Sequence, residues 1–561
     1  FPYTTLFRSQ LTIRNENKAT SELTGLTGSG LLVLVDGTSK VTGLNNGLKA
    51  NVEIQENATV DLVKESGLGT GDVTVAGNLQ LTAKDQKVEN KLIGDGFLEV
   101  RENASLLANN LGFTGTIAVN DDATLNITKL DELGKGEGQK AIELAGQLNL
   151  KGVNSELKQY IAGNGTIKLE ENSDLKFNQV NKDFTGTLEL ANGNLTAGVD
   201  GALGNAKLLE VGTMSHFDLN GTSQTVDQVR IMAGEKFSES GIFSGTGTVT
   251  TKEGVINHGI LQVGNSALDL EDKNLLGGST SQNQAVSKDQ PKEHLTIHGS
   301  VQNYNLIQIA GDTPGNTLTI HGDYIGEKGA SLLMNVARIY DEVLADELII
   351  KGEAKGETTK VFVREAKPLG DLKRDKVALI RTEISQEDSF ILGNAVLSGR
   401  YQYKLTLDDA DWYLERDGYR SDIGNNLANM GVAAQYQVPG FGGSILTGSS
   451  ISGAGGLRSL GQSHVAGTFA KDNEFSEWNI WNVSTGGKYK DREATKGVTY
   501  DSTYYGTTFG GEHLFQVDDY FIQVGAMFSM LKAKNDAYNN DADMDGSSTG
   551  RLDGRIYSLY G

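Results

Sequence analysis

Short runs of alternating apolar and polar residues, punctuated by Gly, Asn and Asp, dominate the chain from about Thr20 to Leu414. Leu98 and Val100 alternate with Glu99 and Arg101; Ile167 and Leu169 alternate with Lys168 and Glu170. A period of two marks a strand with one buried face. The runs follow one another too closely to leave room for helices, so the pattern predicts an all-β chain.

Some runs recur with their surroundings. Gly94-Asp95-Gly96, Glu102-Asn103-Ala104-Ser105-Leu106 and Phe113-Thr114-Gly115-Thr116-Ile117 are echoed by Gly163-Asn164-Gly165, Glu171-Asn172-Ser173-Asp174-Leu175 and Phe184-Thr185-Gly186-Thr187-Leu188. The offset is 69 residues at the first Gly and 71 at the Phe, and Gly245-Thr246-Gly247 opens another round. Leu295-Thr296-Ile297-His298-Gly299 returns as Leu318-Thr319-Ile320-His321-Gly322, 23 residues on. A helix-free unit of 23 residues suits one coil of a parallel β-helix, and about 70 residues then make three coils. Each coil needs its neighbours to bury its inner face, stacking at about 4.8 Å. Some 400 residues at this spacing predict roughly 17 coils, with Gly and Asn at corners that need positive φ. A β-sandwich array would show hairpin spacing instead.

Composition narrows the picture. The 561 residues include 71 Gly, 5 Pro and no Cys. Gly without Pro excludes collagen, and the lack of Cys excludes a disulfide scaffold, a thiolate zinc site and a Cys nucleophile. Lys+Arg 50 against Asp+Glu 72 gives −22, which argues against nucleic-acid binding. No apolar run approaches the ~20 residues of a membrane helix.

The C-terminal half carries a resemblance to a known family. The run Leu318-Thr319-Ile320, Gly322-Asp323-Tyr324 and Gly326 continues through Leu332, Asn335 and Asp346-Glu347-Leu348-Ile349-Ile350-Lys351-Gly352. Gly356, Thr358, Val361 and Val363 follow, and the run closes with Tyr401-Gln402-Tyr403, Leu405 and Trp412-Tyr413-Leu414. It resembles the end of a pertactin-type autotransporter passenger, in which such a segment caps the solenoid and nucleates its folding during secretion. Tyr419-Arg420-Ser421-Asp422-Ile423-Gly424-Asn425-Asn426-Leu427-Ala428-Asn429 resembles the linker that enters the translocator pore as a helix, with Ser421 and Asp422 where that family usually has Pro and Glu. Ile423, Leu427 and Met430 sit at helical spacing. The stretch 437–475 is unplaced. From Trp478 to Gly561 the chain resembles the start of an autotransporter outer-membrane barrel.

Four strands are expected there, at about 478–488, 503–515, 520–531 and 551–561. In the third, Tyr520, Ile522, Val524, Ala526, Phe528 and Met530 are assigned to lipid. Gln523, Gly525 and Ser529 lie on the opposite face, with Phe521 and Met527 as its exceptions. Connections at roughly 489–502, 516–519 and 532–550 alternate long, short, long, as outer-membrane barrels do. Four strands cannot close, since such barrels need about eight and each open backbone group in hydrocarbon costs several kcal/mol. The expected fold is therefore all-β: a right-handed parallel β-helix, a short pore helix and a truncated antiparallel outer-membrane β-barrel. The expected division is 10–317 β-helix passenger, 318–416 capping or autochaperone segment, 417–475 linker with pore helix, and 476–561 incomplete barrel. Residues 1–9 resemble a translated sequencing adapter and are set aside as an artefact, so the chain is expected to be a fragment.

Candidate chemistry is sparse. Gly546-Ser547-Ser548-Thr549-Gly550 matches Gly-x-Ser-x-Gly, but a nucleophile elbow needs a buried strand before it and a helix after it. Asp541-Ala542-Asp543-Met544-Asp545-Gly546 opens like a calcium loop, yet Leu552 stands where the bidentate Glu belongs. His298 and His321, one coil apart, should stack on one face without a third ligand. Gly67-Leu68-Gly69-Thr70-Gly71 and Gly134-Lys135-Gly136-Glu137-Gly138 lack the strand-to-helix setting of a phosphate loop. Asn425-Asn426 resembles the paired Asn at which some autotransporters cut themselves, a match that ends at Leu427. No catalytic, cofactor or metal residue is assigned, and the fragment is expected not to be an enzyme.

The resemblance implies an outer-membrane protein presenting its passenger at the cell surface for adhesion or self-association. Its implied partners are outer-membrane lipid, the barrel-assembly machinery and an unknown surface ligand. The alternative is a stalk and translocator for a protease or esterase lying upstream.

Overall fold

The computed structural model describes residues 6–560 except 17–18, 44, 64–66, 136–141, 267–290, 340–341, 368, 370–375, 399–400, 420–463, 467–477, 496–497, 518–519 and 540–546. The chain forms two compact units. The first comprises 1–368, 377–394 and 405–413; the second comprises 369–376, 395–404 and 414–561.

The first unit is a parallel β-solenoid of about 14 turns. Alternation produces it directly: in Thr166–Glu170, Ile167 and Leu169 are at most 1% exposed while Thr166, Lys168 and Glu170 point outward. Apolar side chains then stack coil upon coil. Leu148 faces Ile167, and Ile167 faces Leu188. Coil length is less uniform than the 23-residue unit suggests, which is why there are fewer turns than the 17 expected. Ile167 lies 19 residues beyond Leu148, Leu318 lies 23 beyond Leu295, and Ile380 lies 32 beyond Leu348. Val255 faces Val301 across 46 residues, because this coil also contains 267–290.

The 69-residue echo is a repeated corner and not a three-coil phase. Gly94 carries Phe113 on the next coil, and Gly163 carries Phe184 in the same way. Three pairing steps from Leu98, through Ile117 and Ile142, arrive at Ile161 and not at Ile167. The step from Ile117 to Ile142 takes 25 residues where the steps on either side take 19. The corner needs glycine where coils touch: a Cβ on Gly186 would collide with the carbonyl oxygen of Gly165 beneath it.

A buried asparagine precedes each such corner by three residues. Asn110 accepts a hydrogen bond from the Leu92 N–H at 2.8 Å and donates to the Glu132 carbonyl at 2.7 Å. Asn181 does the same with Ile161 (2.9 Å) and Ala202 (2.7 Å), and Asn45 with Leu26 (2.7 Å) and Gly67 (2.6 Å). Each is thus a staple across three successive coils, none more than 2% exposed.

The second unit is built around an antiparallel meander, Trp478–Thr495, Val498–Val517, Tyr520–Asn539 and Ser547–Tyr560, with His464–Ala466 pairing on its first strand. These strands are longer than expected. Thr495 pairs with Val498, so most of 489–502, expected as a long loop, is strand; 532–539 likewise continues the third strand. Cross-strand pairing persists past the apolar stretch because the polar residues there still alternate. Val524, Ala526 and Met530 are exposed and Gly525 and Ser529 buried, as the alternation predicts. Among the described residues no helix is long and apolar enough to cross a membrane, which says nothing of strands. The expected pore helix lies outside the described residues. Leu6–Phe7, within the segment set aside, pair in parallel with Thr27–Gly28.

Candidate functional site

The last coils of the solenoid depart from the repeat, and their departures converge on one carboxylate. Strand Ser331–Ile339 runs into an antiparallel hairpin with Glu342–Ala345, pairing Val336 with Ala345. The hairpin returns at Asp346, which is fully buried. Its Oδ1 accepts the N–H groups of Gly315 (2.8 Å) and Asn316 (2.9 Å) on the preceding coil, and its Oδ2 accepts that of Asn335 (2.6 Å). The Asp346 N–H donates back to the Asn335 carbonyl at 2.9 Å. One side chain thus closes the hairpin and ties it to the coil before.

Two asparagines and an arginine extend this junction. Asn316 accepts the Glu293 N–H at 3.0 Å and donates to the Ile309 and Thr313 carbonyls. Asn335 donates to the Gly311 carbonyl, and Arg364 from the following coil donates to Asn335 Oδ1 at 2.8 Å. Burial pushes the Asp346 carboxyl up to about 7 against the pull of its three N–H donors and Arg364. Burial also lowers Arg364.

Beside the junction stands a column of rings. Tyr324 stacks with Phe390 at 5.6 Å between centroids, and Trp412 meets Phe390 edge-on at 5.5 Å. All three are under 5% exposed. Tyr324 accepts from Asn303 Nδ2 and shares a hydrogen bond with Thr359, while Trp412 Nε1–H donates to Ser385 Oγ at 2.9 Å. The polar end of each amphipathic ring is therefore satisfied inside the core.

The residues singled out by sequence fare differently. His298 and His321 do stack, ring centroids 4.2 Å apart and 21° from parallel. Lone pairs lie in the ring planes, and two nearly parallel planes do not bring them to a common point. Among the described residues no three His, Asp or Glu side chains gather as a metal site. Ser548, Thr549 and Gly550 lie within strand Ser547–Tyr560 and pair with Ala537, Asp536 and Asn535, so the Gly-x-Ser-x-Gly run is neither an elbow nor the polar loop expected. Gly69 has a turn φ of 69°. Residues 541–546, 425–426 and 136–138 lie outside the described set.

One pairing that sequence did not suggest is a serine–histidine contact: His216 Nε2 lies 2.5 Å from Ser244 Oγ. Its polarity can be read from its far end. Asp218 accepts from Asn265 Nδ2 at 3.1 Å, so Asn265 presents Oδ1 to Ser244, whose hydroxyl donates to it at 2.6 Å. The hydrogen on Ser244 being committed, His216 Nε2 must be the donor. That is the reverse of a base activating a nucleophile, and Ser244 is 1% exposed.

Asp346 and Asn335 were visible only as parts of a family-like run, and Asn316 and Arg364 not at all. The available signal was a polar residue interrupting an apolar strand, as Asn335 does in SLLMNVARI and Arg364 in VFVRE.

A family match falls on these same coils. Residues 286–405 match the family described as Autochaperone Domain Type 1, a span beginning ahead of Leu318. The chain is similar to the Autotransporter adhesin AIDA-I of Escherichia coli, 30% identical over 135 residues, covering 22% of this chain and 10% of that protein. It is similar to the Probable autotransporter YfaL of E. coli K12, 30% identical over 129 residues (22% and 10%). The Uncharacterized lipoprotein YdeK of the same strain is 26% identical over 212 residues (37% and 16%). The matched part of the chain thus spans between a tenth and a sixth of the length of these curated relatives.

Proposed function

We propose that this chain, an autotransporter passenger by its solenoid and its autochaperone coils, acts at the surface of a Gram-negative bacterium in adhesion or self-association. The observation that carries the reading is the coincidence of the autochaperone match with the buried Asp346 junction and the Tyr324–Phe390 stack, whose third ring, Trp412, follows just past the matched span. A solenoid needs an atypical terminal unit, and these coils supply one that is pinned by polar groups and filled by rings. In this proposal they fold first and template the parallel coils, whose long-range pairing is intrinsically slow to nucleate. The solenoid winds right-handed. Its outward columns are polar and repetitive, suited to broad contact, and the chain is not an enzyme.

The meander of the second unit is proposed as the opening strands of an outer-membrane barrel. Tyr505, Phe509, Val524, Met530, Tyr557 and Leu559 are exposed large apolar groups on its strands, which suits contact with lipid. Lys532, Lys534, Arg551, Asp553 and Arg555 follow towards the far ends of the strands and suit water. Four strands do not close, so a working translocator needs more of them. The stretch 417–475 is assigned to the linker and pore helix, and insertion falls to the barrel-assembly machinery. The test is to express the complete reading frame in a Gram-negative host, digest intact cells with protease and score cell–cell aggregation and adherence. Surface-released solenoid and adherence lost with it support the reading; a passenger protected inside the cell overturns it.

A further inference from the structure

The meander of the second unit is graded along its strands on the face that carries its exposed apolar groups. Antiparallel register sets the outward residues in rows across the strands: Gly511, Ala526 and Leu559, then Phe509, Phe528 and Tyr557, then Thr507, Met530 and Arg555. Tyr505, Lys532 and Asp553 form the next row, and Lys488, Thr503, Lys534 and Arg551 the one after it. The small residues of the first row leave a shallow cleft of about 770 Å³ beside the rings, where Phe528 and Tyr557 lie 4.9 Å apart between centroids. The face thus passes from an apolar cleft to a band of cations.

Lys488, Lys532, Lys534, Arg551 and Arg555 are all exposed. Lys534 meets Asp536 at 3.4 Å, and Asp536 also accepts from Thr549 Oγ1. Among the described residues, Lys532, Arg551 and Arg555 have no ion-pair partner. Three acids share the face: Asp553 opposite Lys532, and Asp501 opposite Asp536 in the row beyond Lys534. Five cations to three acids, among the described residues, leave this face positive within a chain of net charge −22. Lys534 and Arg551 stand directly opposite each other, a placement in which like charges repel. An anion reached by both turns that repulsion into charge-assisted hydrogen bonds.

The depth of the band matches a lipid headgroup. The outward apolar run from Tyr520 to Met530 covers about 34 Å at ~3.4 Å per residue, or about 26 Å along the membrane normal at the ~40° tilt of barrel strands, against the ~25 Å apolar band of such barrels. Measured from the middle of that run, Lys532 and Lys534 stand about 18 Å and about 23 Å out. Headgroups occupy roughly 15–22 Å from the mid-plane. Arg551 is level with Lys534, and the cleft at Ala526 lies near the mid-plane, where acyl chains end. The cations lie towards the 540–546 connection and away from the two-residue connection 518–519. Outer-membrane barrels keep short turns inside and longer connections outside, which puts the band in the outer leaflet.

Resting on the lipid-contact reading of this face, we propose that Lys488, Lys534 and Arg551, with Lys532 and Arg555 beneath them, form a site for the headgroup phosphate of an outer-leaflet glycolipid of the lipid A class. Its acyl chains run down over Met530 to the cleft at Gly511 and Ala526. The test floats the purified full chain with phosphatidylcholine vesicles, plain or carrying about a tenth of lipid A, and the lipid A vesicles should be bound at least about tenfold more tightly. Dephosphorylated lipid A should give no such gain, and inorganic phosphate should not displace the vesicles. The Lys534→Gln/Arg551→Gln pair should lose the gain while still binding plain vesicles and keeping its thermal unfolding midpoint; Asp553→Asn, which removes a competing carboxylate, should enlarge it. Equal binding of the two vesicles, a gain unchanged in the paired variant, or displacement by inorganic phosphate overturns the site and leaves lipid contact standing. Failure to bind either vesicle overturns the site and the lipid-contact reading together.

Discussion

Replacing Asp346 by alanine removes the acceptor for three buried N–H groups, those of Gly315, Asn316 and Asn335. A buried donor left without a partner costs about 1–3 kcal/mol, so the variant should lose about 3–6 kcal/mol once overlap between the three is allowed for. That is a large part of the roughly 5–15 kcal/mol that holds a domain together. Asp346→Asn keeps one oxygen for Gly315 and Asn316 but turns an amide N–H towards the Asn335 N–H. It should lose about 1–3 kcal/mol, the cost of a single unsatisfied donor. Urea unfolding followed by far-UV circular dichroism should therefore rank the midpoints wild type, then Asn, then Ala. The pH profile gives a second readout. The folded carboxyl is raised from 3.8 to about 7. Its contribution is thus complete below about pH 4 and is lost as pH rises through about 7, with a ceiling of about 4 kcal/mol at ~1.4 kcal/mol per unit. Neither variant should show that slope. An alanine variant within about 1 kcal/mol of wild type, well under the cost of one orphaned donor, would refute the reasoning, as would an asparagine variant less stable than the alanine one.

Other outcomes follow from single contacts. Trp412→Ala empties the end of the ring column and removes the Nε1–H donor to Ser385, and should cost about 3–5 kcal/mol, read as earlier proteolysis of the C-terminal coils. Asn181→Ala should cost about 2–5 kcal/mol through the Ile161 N–H and the Ala202 carbonyl, while Asn178→Ala, a half-buried residue whose amide makes only a 3.5 Å contact to Glu156, serves as the milder control in the same urea titration. Gly186→Ala should lower the unfolding midpoint through its collision with Gly165. Gly152→Ala, which has open space around its added methyl but a φ of 62°, should cost only about 1 kcal/mol of backbone strain. Burial lowers His216, so its contribution is present above pH 6.5 and lost as pH falls through the folded value; His216→Gln should flatten the acid side of the stability profile.

The strands were legible because burial on one face imposes a period of two that no other force in the chain disturbs. Ile167, Leu188 and their like could be placed before any coordinates, and so could the stacking of His298 on His321. Coil length was less legible, since a turn can absorb extra residues without changing the strands on either side, as the 46-residue coil from Val255 to Val301 does. The staples escaped notice for a related reason. Asn110 and Asn181 read as ordinary turn residues, and only the third dimension brings partners some twenty residues away on both sides to their amides. The Asp346 junction joins positions 293, 316, 335, 346 and 364, a set with no period at all. In the meander, alternation located the strands but not their ends, because pairing continues through polar residues such as Lys532 and Lys534.

The central claim is that the C-terminal coils are the stable seed on which the rest of the solenoid is laid. Hydrogen exchange read by mass spectrometry across a urea series tests it most directly. The strands from His294–His298 to Thr359–Glu365 should retain protection at the highest urea, with Leu31–Val41 and Asn51–Leu62 exchanging first and the boundary moving towards the C-terminus as urea rises. If protection is instead uniform along the solenoid, or outlasts all else in the strands before Val211, these coils are not the seed.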